Sequence, residues 1–255
     1  MEKFIQKMAR EAGVAVLKKF GKIGVHYKKS DRVWDVVTKA DLLSEKIIMS
    51  AIRKKYPDHG IISEESGSVK EGARYVWIID PVDGTLNYSR GVPTFGVMIG
   101  LVRDGEVILS AINLPATKEF FFAKAGNGAY LNGKRIHCSR VKDLKKTAGV
   151  GSSSLHMRNA RFLTNLVHAV RGSHAMLGSF LSIASNGCYT ANGGRDWMIS
   201  LSGSIWDFVP VYLLLKEAGC KVTDGKGNSW KLGMLEMVAA NPVLHKQLLK
   251  LTKNV

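Results

Sequence analysis

The segment WIIDPVDGT, residues 77–85, ends a β-rich apolar run that begins at Tyr75. This run predicts a buried strand with Asp80 at its carboxyl end. Pro81 predicts a turn because proline fixes φ, and Gly84 permits close approach of the backbone. The turn would return Asp83 to the same side, so that two carboxylates face one crevice. The alternative is that both aspartates only form the turn, since Asp, Pro and Gly are the usual turn residues.

Two other segments place carboxylates where a predicted strand ends or a predicted helix begins. Glu64 and Glu65 end the short apolar run 60–63, and Asp207 follows Trp206 at the start of an apolar helix. Carboxylates that lie close together repel each other unless a divalent cation holds them. These acids therefore predict a divalent-metal site.

Helix and strand patterns alternate along the chain. An N-terminal amphipathic helix precedes a second helix over residues 41–55, for which Thr38 and Asp41 form a capping box. Short β-type runs with Gly-containing turns predict an antiparallel meander over residues 95–136. Further helices are predicted over residues 158–170, 179–190, 206–218 and 242–253. The pattern indicates an α/β protein with two sheet-containing halves, residues 1–145 and 146–255.

Composition excludes several classes of protein. The chain has 255 residues, of which 45% are hydrophobic and 23% charged, so it is neither a miniprotein nor a disordered chain. Its apolar runs are shorter than the roughly 18 residues of a membrane span, and no targeting pattern is visible, so we expect a soluble, cytoplasmic protein. The net charge of +16 favours anionic partners. Cys138, Cys188 and Cys220 lack metal or disulfide spacing and are interpreted as small core residues.

These motifs together resemble the inositol monophosphatase family, which comprises metal-dependent, lithium-sensitive phosphomonoesterases. The resemblance extends over nearly the whole chain, because four segments match in the correct order: Asp35-Val-Val-Thr38 with Asp41, Glu64-Glu65-Ser66, Asp80-Pro81-Val82-Asp83-Gly84-Thr85, and Trp206-Asp207 followed by Glu217-Ala218-Gly219. It implies the α+β layered sandwich of the sugar-phosphatase superfamily, with alternating helix and sheet layers. It also implies a homodimer.

The resemblance assigns two or three Mg²⁺ ions to one active site. The residues that would hold the first two are Glu64, Asp80, Asp83, Asp207 and the backbone carbonyl of Val82, and Glu65 would lie beside a further, weaker metal. Thr85 and Asp41 match the pair that orients and deprotonates the attacking water. The backbone N–H groups of Gly84 and Thr85 would bind the phosphate, at the start of a helix. Asp41 has a second interpretation as the helix-capping residue.

Contacts with the rest of the substrate follow from three further matches. Gly178 and Ser179 match a substrate-contacting turn, although Ser179 is equally typical of a helix N-cap. Ser200 stands seven positions before Asp207, where the family commonly has an acid that binds polyol hydroxyls. Lys29 lies near the family's loop lysine but is also typical of a solvated basic loop.

The predicted function is Mg²⁺-dependent hydrolysis of a small phosphate monoester, with inositol monophosphate as the first candidate. The alternatives are another ester, such as fructose 1,6-bisphosphate, 3′-phosphoadenosine 5′-phosphate or histidinol phosphate. An added RNA- or protein-binding role is a further alternative, because the positive charge would supply nonspecific affinity for nucleic acid. The sequence lacks the motifs of the common nucleic-acid-binding folds, so this role is weakly supported. No membrane partner is expected.

Overall fold

The computed structural model describes residues 1–22, 24–31, 36–151 and 157–252. Within these ranges the helices are α1 Glu2–Lys19, α2 Lys39–Lys55, α3 Thr85–Ser89, α4 Met157–Val170, α5 Ile183–Ala191, α6 Ile205–Glu217 and α7 Pro242–Thr252. The strands are β1 Val25–Lys28, β2 Val36–Thr38, β3 Gly60–Ser63, β4 Gly67–Val69, β5 Tyr75–Asp83, β6 Gly96–Arg103, β7 Glu106–Leu114, β8 Glu119–Lys124, β9 Gly128–Leu131, β10 Lys134–Ile136, β11 Ala148–Gly151, β12 Met176–Gly178, β13 Trp197–Ser200, β14 Lys221–Thr223 and β15 Met237–Ala240.

Two mixed sheets form the centre of the molecule. The first has eight strands in the order β10-β9-β8-β7-β6-β5-β3-β4, and only its β3–β5 pair is parallel among the described pairs. Strands β6 to β10 form the predicted antiparallel meander, and the turn residues Asp104 and Gly105 both have positive φ. The second sheet has five strands in the order β12-β11-β13-β15-β14. The short strands β1 and β2 pair separately.

Helices cover and separate these sheets, which gives the predicted layered α/β fold. Helices α1 and α2 pack on the outer face of the large sheet, around Ile48 and Trp77. Helices α5 and α6 lie between the sheets, where Phe208 and Met198 are buried in one cluster. Helices α4 and α7 cover the outer face of the small sheet, where Trp197 is buried. Because side chains alternate along a strand, neighbouring residues 197 and 198 enter different layers.

Three local predictions need correction. Strand β5 continues through Asp83 instead of turning at Pro81. Helix α5 begins at Ile183, not near residue 179, and its N-cap is Ser182, whose side chain accepts a bond from the Ser185 N–H. A third correction concerns the cysteines, because Cys138 is only half-buried, and the neighbouring Cys220 thiol lowers the pKa of Cys138. The division into two domains near residue 145 stays a prediction. Among the described residues, no helix combines the length and apolar character needed to cross a membrane.

Candidate metal and phosphate site

A bulge in β5 positions the two aspartates of the DPVD motif. Asp80 pairs with Met98 of β6 and Asp83 with Gly96, so the β5 strand contains one extra residue at this point. Pro81 falls inside the bulge, where the missing N–H of proline costs no ladder bond. The carbonyl of Pro81 accepts a hydrogen bond from the Ser44 hydroxyl of α2 at 2.7 Å. The bulge therefore brings both carboxylates to one side without the predicted turn.

Asp80, Asp83 and Asp207 form the centre of the site. Each offers one carboxylate oxygen, and these oxygens all lie within 4.8 Å of one another. Asp207 comes from the first turn of α6, where its Oδ2 also accepts a bond from the Ser204 N–H at 2.6 Å. Within the described residues, Oδ1 of Asp80 is buried without a hydrogen-bond partner. A set of close oxygens with one orphaned atom is the donor set that a hard divalent cation requires.

Burial makes this cluster unfavourable without a counterion. It raises the pKa of Asp80 well above its usual value, and the nearby carboxylates, Glu64 foremost, raise it further. Burial also raises the pKa of Asp207 to about 8, with Asp83 the next cause. The pKa of Asp83 rises less, to about 6, because Ser182 and the first N–H groups of α5 donate to its carboxylate. Charged carboxylates here need a cation nearby.

Glu64 and Glu65 share one cationic partner. The Lys29 ammonium lies 3.1 Å from Glu64 Oε1 and 2.8 Å from Glu65 Oε1, and 28% of its side chain is exposed. Burial lowers the pKa of Lys29, but the charges of Glu64 and Glu65 outweigh burial and raise it above its usual value. The interpretation of Lys29 as a solvated loop residue is therefore wrong. Glu65 Oε2 is buried with no partner among the described residues.

Asp41 serves both as a helix cap and as a contact of the site. Its Oδ2 accepts bonds from the N–H and hydroxyl of Thr38, which completes the predicted capping box of α2. Its Oδ1 lies 3.1 Å from Thr85 Oγ1, which also lies 2.8 Å from the Val82 carbonyl oxygen. Burial raises the pKa of Asp41 to about 6. The capping interpretation of Asp41 is thus confirmed, and its role with Thr85 at an attacking water stays a prediction.

The same turn of α2 supplies a residue that sequence reasoning missed. Glu45 is buried, and its Oε1 accepts bonds from Ser63 Oγ at 2.5 Å and from the Ser66 N–H at 3.0 Å. Its Oε2 accepts a bond from Ser66 Oγ at 2.5 Å. These bonds hold both ends of the Glu64–Glu65 segment. A signal existed in the sequence, because residues 41, 44 and 45 place polar groups on the buried face of an amphipathic helix.

Gly84 makes the turn into α3 possible. Its φ is +80°, and a Cβ atom there would lie 2.8 Å from the Thr94 carbonyl oxygen and 3.2 Å from Ser182 Cβ. Helix α3 begins at Thr85, as predicted. The backbone at Gly84 and Thr85 therefore follows directly after the acidic cluster, and any side chain at residue 84 would crowd it.

The predicted substrate contacts lie in different surroundings. Gly178 and Ser179 are exposed, and Ser179 Oγ accepts a bond from the Leu181 N–H, so Ser179 is not the α5 N-cap. Ser200 is buried, and its hydroxyl donates to the Ser202 carbonyl at 2.9 Å. Contact of these residues with a substrate stays a prediction. Asp35 of the matched N-terminal motif lies outside the described residues.

Comparisons with known proteins find similar sequences and structures along nearly the whole chain. Residues 1–255 match the sequence profile described as the inositol monophosphatase family. A fructose-1,6-bisphosphatase/inositol-1-monophosphatase of Aquifex aeolicus is 35% identical, over 98% of this chain and 94% of that protein. The protein named Nus factor SuhB of Pseudomonas aeruginosa is 32% identical, over 95% of this chain and 92% of its own. The solved IMPase of Thermotoga maritima superimposes with a TM-score of 0.89 at 29% identity, covering 98% and 96% of the two chains.

Proposed function

The chain belongs to the inositol monophosphatase family of phosphatases, and we propose that it hydrolyses the phosphate monoester of a small alcohol, inositol monophosphate first, in a Mg²⁺-dependent reaction. The observation that carries this proposal is the cluster of Asp80, Asp83 and Asp207, whose oxygens lie within 4.8 Å of one another. Fructose 1,6-bisphosphate, 3′-phosphoadenosine 5′-phosphate and histidinol phosphate remain the alternative substrates. A homodimer, lithium inhibition and a cytoplasmic location stay predictions.

The residues present fit Mg²⁺. Hard carboxylate and carbonyl oxygens suit this ion. Oδ1 of Asp80 is buried without a hydrogen-bond partner among the described residues, so this oxygen is available to bind the ion. The proposed ligands are Glu64, Asp80, Asp83, Asp207 and the Val82 carbonyl, with Glu65 beside a weaker third ion. When bound, a pair of such ions supplies Lewis-acid stabilisation to the attacking and leaving oxygens of the phosphoryl transfer.

The protein groups around the metals would position the reactants. Thr85 Oγ1 has one proton for two acceptors, Asp41 and the Val82 carbonyl, so its lone pairs can orient a water molecule at this point. Asp41, with its pKa near 6, is the proposed acceptor of the proton from that water. The N–H groups of Gly84 and Thr85 would bind phosphate oxygens at the start of α3.

The direct test is release of inorganic phosphate from inositol 1-phosphate with and without Mg²⁺. The variant is Asp80→Asn, since Oδ1 of Asp80 has no partner to lose within the described residues. We expect Mg²⁺-dependent release in the wild type and a loss of about a hundredfold or more in the variant. The control is Asp104→Asn, the same chemical change at an exposed turn whose positive φ asparagine tolerates. Full activity of Asp80→Asn would contradict the metal assignment.

A second candidate is an added nucleic-acid-binding role. The net charge of +16 favours it, and a relative 32% identical carries the name of a factor, Nus factor SuhB, instead of a phosphatase. Charge alone predicts weak binding whose affinity falls steeply with salt. The measurement that tests this role is the affinity for several RNA oligonucleotides of different sequence at several salt concentrations. Affinity that depends on the RNA sequence at about 0.15 M salt would exceed the nonspecific binding expected here.

A further inference from the structure

A cavity of about 400 Å³ opens beside the acidic cluster. This volume lies within the range of small-molecule binding sites, about 300–1,000 Å³. The lining combines one ion pair with apolar side chains and comes from Arg158, Leu201, Gly203, Met234, Leu235 and Glu236, among others. None of these residues has a role in the proposed metal chemistry.

Gly203 joins this cavity to the proposed metal site. A Cβ atom at residue 203 would lie 2.6 Å from the ring of buried Phe208 and 3.0 Å from Oδ2 of Asp207, so the backbone of this lining residue borders that carboxylate. A substrate whose phosphate lies at the cluster could therefore place its alcohol half in the cavity that Gly203 helps to line.

Arg158 and Glu236 form the polar part of the lining. Arg158 Nη2 lies 2.5 Å from Glu236 Oε2, and the guanidinium and carboxylate side chains are 39% and 16% exposed. Nη1 of Arg158 reaches the Leu201 carbonyl only at 3.4 Å, and the Gly225 N–H donates to Glu236 Oε1 at 3.2 Å. A guanidinium has five N–H donors, and each carboxylate oxygen has a second lone pair. Counting contacts with the described residues only, the pair therefore keeps both donors and acceptors for a ligand.

The composition of the cavity selects a hydroxylated alcohol over a second phosphate. Glu236 neutralises Arg158, and Asp224 adds another carboxylate to the lining, so a second phosphate dianion would meet uncompensated negative charge. Hydroxyl groups can instead donate to Glu236 and accept from Arg158 in charge-assisted bonds. Leu201, Met234 and Leu235 provide apolar surface for the C–H faces of a ring.

We propose that Arg158 and Glu236 recognise the hydroxyl groups of a polyol monophosphate whose alcohol half occupies this cavity. The inference rests on the proposed function, because it assumes that the phosphate lies at the acidic cluster. Glu236 then supplies the carboxylate acceptor that Ser200, whose hydroxyl donates to a backbone carbonyl, does not offer. Arg158 and Glu236 are specificity residues and take no part in the chemical step.

The test compares kcat/KM for inositol 1-phosphate and for p-nitrophenyl phosphate, which has no alcohol hydroxyls. In Glu236→Gln we expect the ratio of the two values to fall about tenfold or more, mainly through KM for the inositol ester, because a charge-assisted hydrogen bond is lost. The Arg158→Lys variant should lower the same ratio, since the lysine ammonium lacks the planar set of N–H donors of a guanidinium. The control variant Glu106→Gln changes an exposed glutamate of β7 and should leave the ratio unchanged. Thermal unfolding checks that each variant is folded.

Two further measurements make the outcomes distinct. Binding of inositol, which carries no phosphate, to wild type and Glu236→Gln by calorimetry reports recognition of the hydroxyl groups without turnover, and we expect weaker binding in the variant. If the wild type releases phosphate from no ester, the proposed function fails, and the binding comparison alone decides the inference. An unchanged ratio and unchanged binding in both folded variants would overturn it. A gain of activity on fructose 1,6-bisphosphate in Glu236→Gln, with a loss in Arg158→Lys, would overturn it in favour of a second-phosphate pocket.

Discussion

Substitution of Gly84 by alanine tests whether the turn after the acidic cluster is fixed by packing. An L-residue at φ +80° costs about 1–2 kcal/mol in backbone conformation. The added methyl would also lie 2.8 Å from the Thr94 carbonyl oxygen, and such overpacking costs about 1–3 kcal/mol more. That carbonyl cannot easily move, because it accepts a bond at 2.8 Å from buried Asn87, which also donates to Phe180. The expected loss of unfolding free energy is therefore about 2–5 kcal/mol.

Gly91→Ala is the matched control for this measurement. Gly91 follows the same short helix with φ +73°, and nothing lies within 4 Å of the position that a Cβ atom would take there. Its substitution should cost only the conformational part, about 1–2 kcal/mol. Urea unfolding of both variants measures the difference, and phosphate release should fall in Gly84→Ala alone. Equal destabilisation with equal activity would refute the reasoning, because the contacts around Gly84 would then relax freely.

Two further predictions concern stability and metal binding. The melting temperature of the metal-free protein should fall as the pH rises from about 4 to about 8, because the pKa of Asp83 is raised to about 6 and that of Asp207 to about 8 in the folded state. Over this pH range the unfolded chain binds fewer protons than the folded one, so folding becomes less favourable as the pH rises. Saturating Mg²⁺ should remove this decrease in melting temperature. A melting temperature of the metal-free protein that does not change with pH would contradict the raised pKa values of the two buried aspartates. Glu45→Gln should raise the Mg²⁺ concentration for half-maximal activity several-fold, since an amide cannot accept all the bonds from Ser63 and Ser66. An unchanged Mg²⁺ requirement in a folded variant would limit Glu45 to a structural role.

The sequence predicted the elements of this fold better than their detailed geometry. Hydrophobic periodicity and Gly-containing turns were enough for the meander β6–β10, because these signals are local. The DPVD motif was predicted as a turn because Pro81 is a turn residue, but pairing with β6 keeps the segment extended around a bulge. That pairing depends on a partner strand, and no local signal contains it.

The side chains of the site show the same limit. The acids of the cluster were predicted from their positions at the ends of elements, yet which other groups contact them depends on the tertiary fold. The sequence favoured a solvated loop for Lys29, but the ends of β1 and β3 lie together in the fold, so Lys29 contacts both Glu64 and Glu65. Ser182 was not predicted at all, although its hydroxyl donates to Asp83 from 99 residues away. Contacts over such separations leave no periodic pattern in a single sequence.

One turn of α2 explains how an acidic cluster can be both buried and ordered. Asp41 reaches Thr85, Ser44 bonds to the Pro81 carbonyl, and Glu45 holds both ends of the Glu64–Glu65 segment. These bonds fix two separate chain segments, 63–66 and 81–85, from a single rigid element, which is how a binding constellation is best preorganised. Repulsion among the carboxylates would otherwise drive these segments apart in the absence of a cation. The hydrogen bonds from α2 therefore oppose the repulsion between the carboxylates before a metal binds. A metal ion that binds here would displace protons and the contact between Lys29 and Glu64.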